Sequence, residues 1–130
     1  ACADHGVAVI VRVVFDEGVL TGKYTKDSTF PEGDFRRQYF SYNRLARAVD
    51  RVEKLRAAVA KASNRAEPSL PAVAVRFALR HPAVSTVITG IRSVSQAEQN
   101  LAFSDLPPLA DPVYAELKQH FWRRAFWHGG

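Results

Sequence analysis

The segment Val7-Ala8-Val9-Ile10-Val11-Arg12-Val13-Val14-Phe15 constrains the fold most, because it is a nearly unbroken β-branched run that follows a helix-ending Gly6. It lacks the polar alternation of a half-exposed strand. It therefore predicts a strand covered on both faces, as in parallel sheets flanked by helices. A second such run, Val84-Ser85-Thr86-Val87-Ile88-Thr89, ends at Gly90. Helical periodicity lies between the two, so they predict a parallel unit with a right-handed crossover. Two strands cannot bury both of their own faces, and such a unit needs further strands and helices around it.

The connecting chain divides clearly. From Asp16 to about Asn43, Gly18, Gly22, Pro31 and Gly33 interrupt scattered aromatics, which predicts a long loop. Loops of this length in compact domains usually carry function. Leu45, Val49, Val52, Leu55 and Val59 then recur at helical spacing over about 44–62, with Arg47, Asp50, Arg51, Lys54 and Arg56 facing away. Ser63-Asn64-Arg65 is expected to close that helix. Ser69 stands as the N-cap of a second helix that runs through Pro71, Val73, Val75, Phe77 and Leu79 to the stop at His81-Pro82. Only Arg76 and Arg80 break its apolar surface, so burial is expected. Ser95 and Glu98 have capping-box spacing and predict a helix from Ser95 to about Phe103. Asp111 as N-cap before Pro112 predicts a last helix, with Val113, Leu117 and Phe121 on one face.

Hydrophobic residues make up 47% of the 130 residues and charged residues 24%, which argues against disorder and fibrous repeats. No apolar run reaches the ~18 residues of a membrane span, and Ala1–Ile10 lacks the features of a signal peptide, so a cytoplasmic location is expected. Cys2 is the sole cysteine, which excludes an internal disulfide or a thiolate zinc cluster. The absence of methionine and the opening Ala-Cys-Ala-Asp-His-Gly suggest a segment of a longer protein. A net charge of +5 suits nucleic acid or an anionic cofactor equally.

The richest chemistry lies in Thr89-Gly90-Ile91-Arg92 through Ser95 to Asn100, where a buried strand meets a helix start. Amides of a first helical turn and the helix dipole attract phosphate, and Arg92 can add a two-pronged contact. Gln96 and Asn100, one turn apart, share a helix face from which a sugar or base edge is reachable. The plainer alternative is a capped surface helix with a solvated arginine. The second candidate is Phe15-Asp16-Glu17-Gly18 through Lys23-Tyr24, at the strand end where ligands of parallel α/β folds gather. It is not a nucleotide-hydrolase phosphate loop, since the spacing is one residue short and Tyr24 replaces the required Ser or Thr. A plain turn with an exposed lysine is the alternative there.

Other groups carry less. Adjacent Asp16 and Glu17 point apart on an extended chain and make no acid–base pair. His5, His81, His120 and His128 show no ligand spacing, so no metal site is expected. His81 reads as a helix-end cation, and Arg36-Arg37 as a solvated face. The tail Phe121-Trp122-Arg123-Arg124-Ala125-Phe126-Trp127 suits packing onto a parent fold better than stacking on bases.

Taken together, Gly6–Val13, Gly18-Val19-Leu20-Thr21-Gly22-Lys23-Tyr24, His81–Gly90 and Ser95–Asn100 resemble the aldo-keto reductases, in that family's order and over nearly the whole chain. The resemblance implies an α/β fold, the C-terminal part of a (β/α)₈ barrel comprising its last two βα units plus the C-terminal helix and tail. It implies NADP(H) as cofactor and a small-molecule carbonyl substrate reduced to an alcohol, with the remainder of the barrel as the chain's partner and neither nucleic acid nor membrane. By resemblance, Phe15, Asp16, Glu17, Gly18 and Lys23 lie along the nicotinamide and pyrophosphate, and Gly90, Arg92, Gln96, Gln99 and Asn100 surround the adenosine and its 2′-phosphate. Arg12 stands where many relatives place an aromatic ring against the nicotinamide, and its guanidinium plane can also stack. Val14 replaces a common proline, and Gln99 stands where glutamate is frequent. The family's catalytic Asp, Tyr, Lys and His belong to earlier strands, so this chain supplies cofactor contacts and no catalytic residue. A non-catalytic nucleotide-binding regulatory subunit with the same barrel is the competing expectation.

Overall fold

The computed structural model describes residues 1–63 and 69–121. Strands β1 (Val9–Val11) and β2 (Val84–Val87) pair in parallel, with Val9 opposite Val84, Ile10 opposite Thr86 and Val11 opposite Val87. Both strands are shorter than their β-branched runs. β1 stops where Val13 adopts a left-handed φ of 57°, which a β-branched side chain strongly disfavours. Nor is β1 covered on both faces: Ile10 is 59% exposed, while Val9 and Val11 on the other face are partly buried.

Helix α1 (Phe35–Tyr39) lies inside the expected loop, which also holds a 3₁₀ turn at Val19–Thr21. Helix α2 (Arg44–Ala62) follows the predicted period, burying Leu45, Ala48, Val52, Leu55, Ala58 and Val59. Helix α3 (Leu70–Leu79) starts where Ser69 Oγ accepts the Ala72 N–H at 3.3 Å. Its two arginines are anchored rather than disruptive: buried Arg76 donates from Nε to the Pro107 carbonyl at 2.7 Å, while Arg80 bonds the Leu109 carbonyl, pairs with Asp111 and stacks over Tyr114. His81 Nδ1 accepts the Ala83 N–H at 3.2 Å, which places the ring in the turn that follows α3.

Helix α4 (Val94–Ala102) begins before the predicted Ser95. Its cap is Ser93, whose Oγ accepts the Gln96 N–H at 3.2 Å, while Gln96 Oε1 accepts the Arg92 N–H at 2.8 Å. Ser93 thus caps as in a capping box, while Gln96 reaches one residue further back, to the Arg92 amide instead of that of Ser93. Helix α5 (Asp111–Lys118) has Ala110 at the cap position, since the Asp111 side chain is drawn to Arg80. It ends before Phe121, which is 81% exposed instead of sharing the helix face with Val113 and Leu117. The closing residues Asn64-Arg65 and the tail from Trp122, His128 included, lie outside the described residues.

Two apolar clusters hold these elements. Val19, Tyr39, Phe40, Leu45, Ala48, Val52 and Leu70 join the strand-end turn to α1, α2 and α3, and Val59, Val73, Leu109 and Val113 seat α5 on α2 and α3. Tyr24 and Phe30 extend the first cluster with an edge-to-face contact at 5.3 Å.

Candidate functional site

Because β1 and β2 are parallel, the chain leaves both at the same end. The Ile88 N–H, bonded to the Val11 carbonyl at 2.8 Å, carries that pairing up to the mouth. A cleft of about 730 Å³ opens there. From the first strand's exit it is lined by Arg12, Phe15, Glu17, Gly18 and Lys23, and from the second by Gly90, Arg92, Gln96, Gln99 and Asn100. The two stretches singled out in the sequence therefore converge on one cavity. Asp16 is not among the lining residues.

The strand-exit segment is tightly turned. Asp16, Glu17 and Gly18 have φ of 49°, 55° and 91°, so the two carboxylates sit on successive left-handed residues and not on the extended chain expected. The turn is closed by the Asp16 N–H to the Val13 carbonyl at 2.8 Å and the Gly18 N–H to the Phe15 carbonyl at 3.0 Å. Gly18 is required: a Cβ there would lie 3.0 Å from Tyr24 Oη, on a backbone that side chains rarely adopt.

On the other wall, Asn100 Nδ2 donates to the Gly90 carbonyl at 3.2 Å, and Gln99 Nε2 donates to Ser95 Oγ at 3.1 Å. Gln96 and Asn100 do share a face, but both bind backbone of the 90–92 turn. They order that turn at the cleft wall, with Arg92 just ahead of the cap.

Sequence reasoning missed a third wall. Phe35 and Arg36 of α1 also line the cleft, so Arg36 is not the solvated residue expected, although Arg37 is exposed. The Asp34 carboxylate caps α1, taking the Arg36 N–H at 3.0 Å and Arg36 Nε at 2.9 Å on Oδ1. Its Oδ2 pairs with Arg36 Nη2. Arg36 Nη1 reaches Tyr24 Oη at 2.8 Å, and the guanidinium lies 5.3 Å from the Phe30 ring centre. The hydrogen bonds from Arg36 hold the Asp34 carboxyl at about 2, with the nearby charge of Arg92 a smaller contribution. The same pairing raises the Arg36 pKa above its ordinary value. Asp34 followed by Phe35 and Tyr39 at i, i+4 is a cap-and-helix signal, but the flanking glycine and proline hide it within the loop.

Arg12, Lys23 and Arg92 thus stand around one cavity that has a single carboxylate, Glu17, in its lining, while the charge of Arg36 is offset by Asp34. Such a field attracts an anion, and the cavity is large enough for an extended one. A second cavity of about 660 Å³, between β1 and helices α2, α3 and α5, is walled mainly by apolar side chains such as Val11, Val13, Leu55, Val73, Phe77 and Leu117, with Arg12, His81, Lys118 and His120 also in its lining. Among the described residues there is no group of three or more His, Cys, Asp or Glu placed to hold a metal, and no helix long and apolar enough to cross a membrane.

The model of the aldo/keto reductase family matches residues 1–121. The chain belongs to the aldo/keto reductase family. The solved structure of aldo-keto reductase AKR11C1 from Bacillus halodurans in its apo form superposes on the chain with a TM-score of 0.61 at 25% identity, covering 93% of this chain and 36% of that one. Among similar proteins, a probable voltage-gated potassium channel subunit beta of Arabidopsis thaliana is 30% identical over 112 residues, 85% of this chain and 34% of that protein. Aflatoxin B1 aldehyde reductase member 2 of Rattus norvegicus is 32% identical over 121 residues, 81% of this chain and 32% of that protein. The aldo/keto reductase chain therefore spans about a third of these relatives, and its α/β fold with a parallel βαβ unit is part of a (β/α)₈ barrel.

Proposed function

We propose that the chain is the C-terminal, cofactor-holding part of a barrel that reduces an aldehyde or ketone to an alcohol with NADPH. One observation carries this reading: two strand ends and the capped start of α4 open onto a single cleft bearing Arg12, Lys23 and Arg92. Phe15, Glu17, Gly18 and Lys23 would hold the nicotinamide and pyrophosphate, with Arg12 as the stacking plane. Asp16 would act through the shape of the turn. Gly90, Arg92, Gln96, Gln99 and Asn100 would hold the adenosine and its 2′-phosphate, the guanidinium fork of Arg92 matching a phosphate dianion. When bound, the cofactor supplies the hydride. This chain's part is to orient the cofactor and exclude water, while proton donation falls to residues preceding it in the barrel. The likeness to an aldehyde reductase supports the reaction class.

The test is titration of the complete protein with NADPH and NADH. Replacing Arg92 with Ala should weaken NADPH by about tenfold or more, the loss of a charge-assisted contact, and leave NADH nearly unchanged. An unaltered preference between the two cofactors sinks the assignment of Arg92.

A second reading, a nucleotide-binding regulatory subunit that does not turn over, draws on the likeness to a potassium channel beta subunit. Assay of the complete protein with NADPH and simple aldehydes separates the two, since cofactor binding without consumption favours the subunit.

A further inference from the structure

We propose that Asp34, Arg36 and Tyr24 form a hydrogen-bonded relay that fixes the left-handed turn Asp16–Gly18 and so positions the part of the cleft that meets the cofactor's common nicotinamide–pyrophosphate half. The inference rests on the reading of the cleft as a nicotinamide-cofactor site.

The turn needs an external hold. Two consecutive non-glycine residues, Asp16 and Glu17, have φ of 49° and 55°, a backbone region that L side chains disfavour and that persists where surroundings over-determine it. Its local bonds, such as Gly18 N–H to the Phe15 carbonyl, close the loop on itself. Tyr24 adds a tie from outside the turn. Its hydroxyl donates to the Glu17 carbonyl over a long 3.4 Å and packs against the Gly18 Cα.

Chemistry orders the relay in one direction. Arg36 Nη1 donates to Tyr24 Oη at 2.8 Å, and because a guanidinium never accepts, the phenol proton is left to point at Glu17. Arg36 is itself fixed on three sides: Asp34 grips Nε and Nη2, the Phe30 ring lies beneath it, and its own N–H holds the same carboxylate. The Tyr24 ring packs edge-on against the stacked pair of Phe30 at 5.3 Å and Phe40 at 6.2 Å, so the hydroxyl has little freedom. Arg36 thereby acts on the turn through Tyr24, as a positioning residue. Helix α1 becomes the buttress of a backbone segment some twenty residues away in sequence.

The experiment uses the complete protein, with NADPH and NADH titrated against wild type, Tyr24→Phe, Arg36→Met, the double variant and Arg92→Ala. Tyr24→Phe and Arg36→Met should each weaken both cofactors by the same factor, about five- to tenfold for one hydrogen bond, with the loss in the cofactor KM rather than in kcat. The double variant should be no worse than the weaker single one, because both cut one chain. Multiplying losses overturn the relay, as does Arg36→Met costing NADPH alone while Tyr24→Phe is silent, for Arg36 then grips the 2′-phosphate directly. If Arg36→Met does not fold, Tyr24→Phe decides alone, since it deletes only an oxygen and keeps the ring packed on Phe30 and Phe40. Should Arg92→Ala also leave the cofactor preference untouched, the cofactor reading itself falls and takes the relay with it. An Arg92 response without a relay response leaves that reading standing.

Discussion

Arg92 and Arg36 reach the same cleft by different means. Arg92 is an exposed side chain whose backbone is held by Gln96, whereas Arg36 is half-buried and its guanidinium is paired with Asp34. Arg92 was legible because it follows a strand-ending glycine and precedes a helix, a local pattern. Arg36 was not, because its importance depends on Tyr24 and Asp34 coming together, and it lies twelve positions along the chain from Tyr24 across a largely irregular stretch. The Asp34 carboxyl, lowered from 3.8 to about 2, fixes the sign of a pH effect. A depressed folded-state pKa gives stabilisation that is complete above 3.8 and is lost as pH falls through about 2. The difference in urea midpoint between wild type and Asp34→Asn should therefore be constant above pH 4 and shrink steadily below it. A difference that grows on acidification contradicts the pairing.

At the scale of elements, α2 and α3 were the most readable. Periodic Leu45, Val52, Leu55 and Val59 and the cap at Ser69 are short-range signals, and the helices form where those signals lie. For α4 two serines competed, and Ser-x-x-Glu from Ser95 is the commoner signature. Ser93 wins because capping from there lets Gln96 bond the Arg92 amide and Asn100 bond Gly90, so the start of the helix and the strand-exit turn are satisfied together. Ser93→Ala should cost about 1 kcal/mol of stability, and Ser95→Ala close to nothing. Thermal unfolding of the two variants checks this, and equal losses would restore Ser95 as the cap. The long segment 16–43 looks structureless in sequence since its three glycines and Pro31 mask short elements. Its aromatic residues nonetheless build the core cluster of Tyr24, Phe30, Tyr39 and Phe40 that braces the cleft.

For the molecule as a whole, the observation that matters is bare apolar surface. Helix α4 buries none of its residues, Val94 and Leu101 among them, and Ile10 of β1 is exposed. The β1–β2 pair also ends in an open edge on either side. In the proposed complete barrel, neighbouring strands and helices would cover these faces. The 130-residue chain on its own should consume no NADPH with aldehydes, and its β1 and β2 amides should exchange with solvent far faster than those of α2 and α3. Hydrogen exchange read by mass spectrometry would show this. Strand amides as protected as those of α2 would mean that the two-stranded sheet needs no neighbours.

The sequence alone determined the two strands, helices α2, α3, α4 and α5, the parallel βαβ order and the strand-to-helix passage from Gly90 to Asn100, because each rests on residues close along the chain whose backbone preferences and apolar period act locally. Tertiary structure alone decided that both strand exits share a cleft, that α1 forms its third wall, and that Tyr24 lies between Arg36 and Glu17. These contacts join parts of the chain that carry no mark of one another, and packing around the aromatic cluster is what brings them within hydrogen-bonding distance.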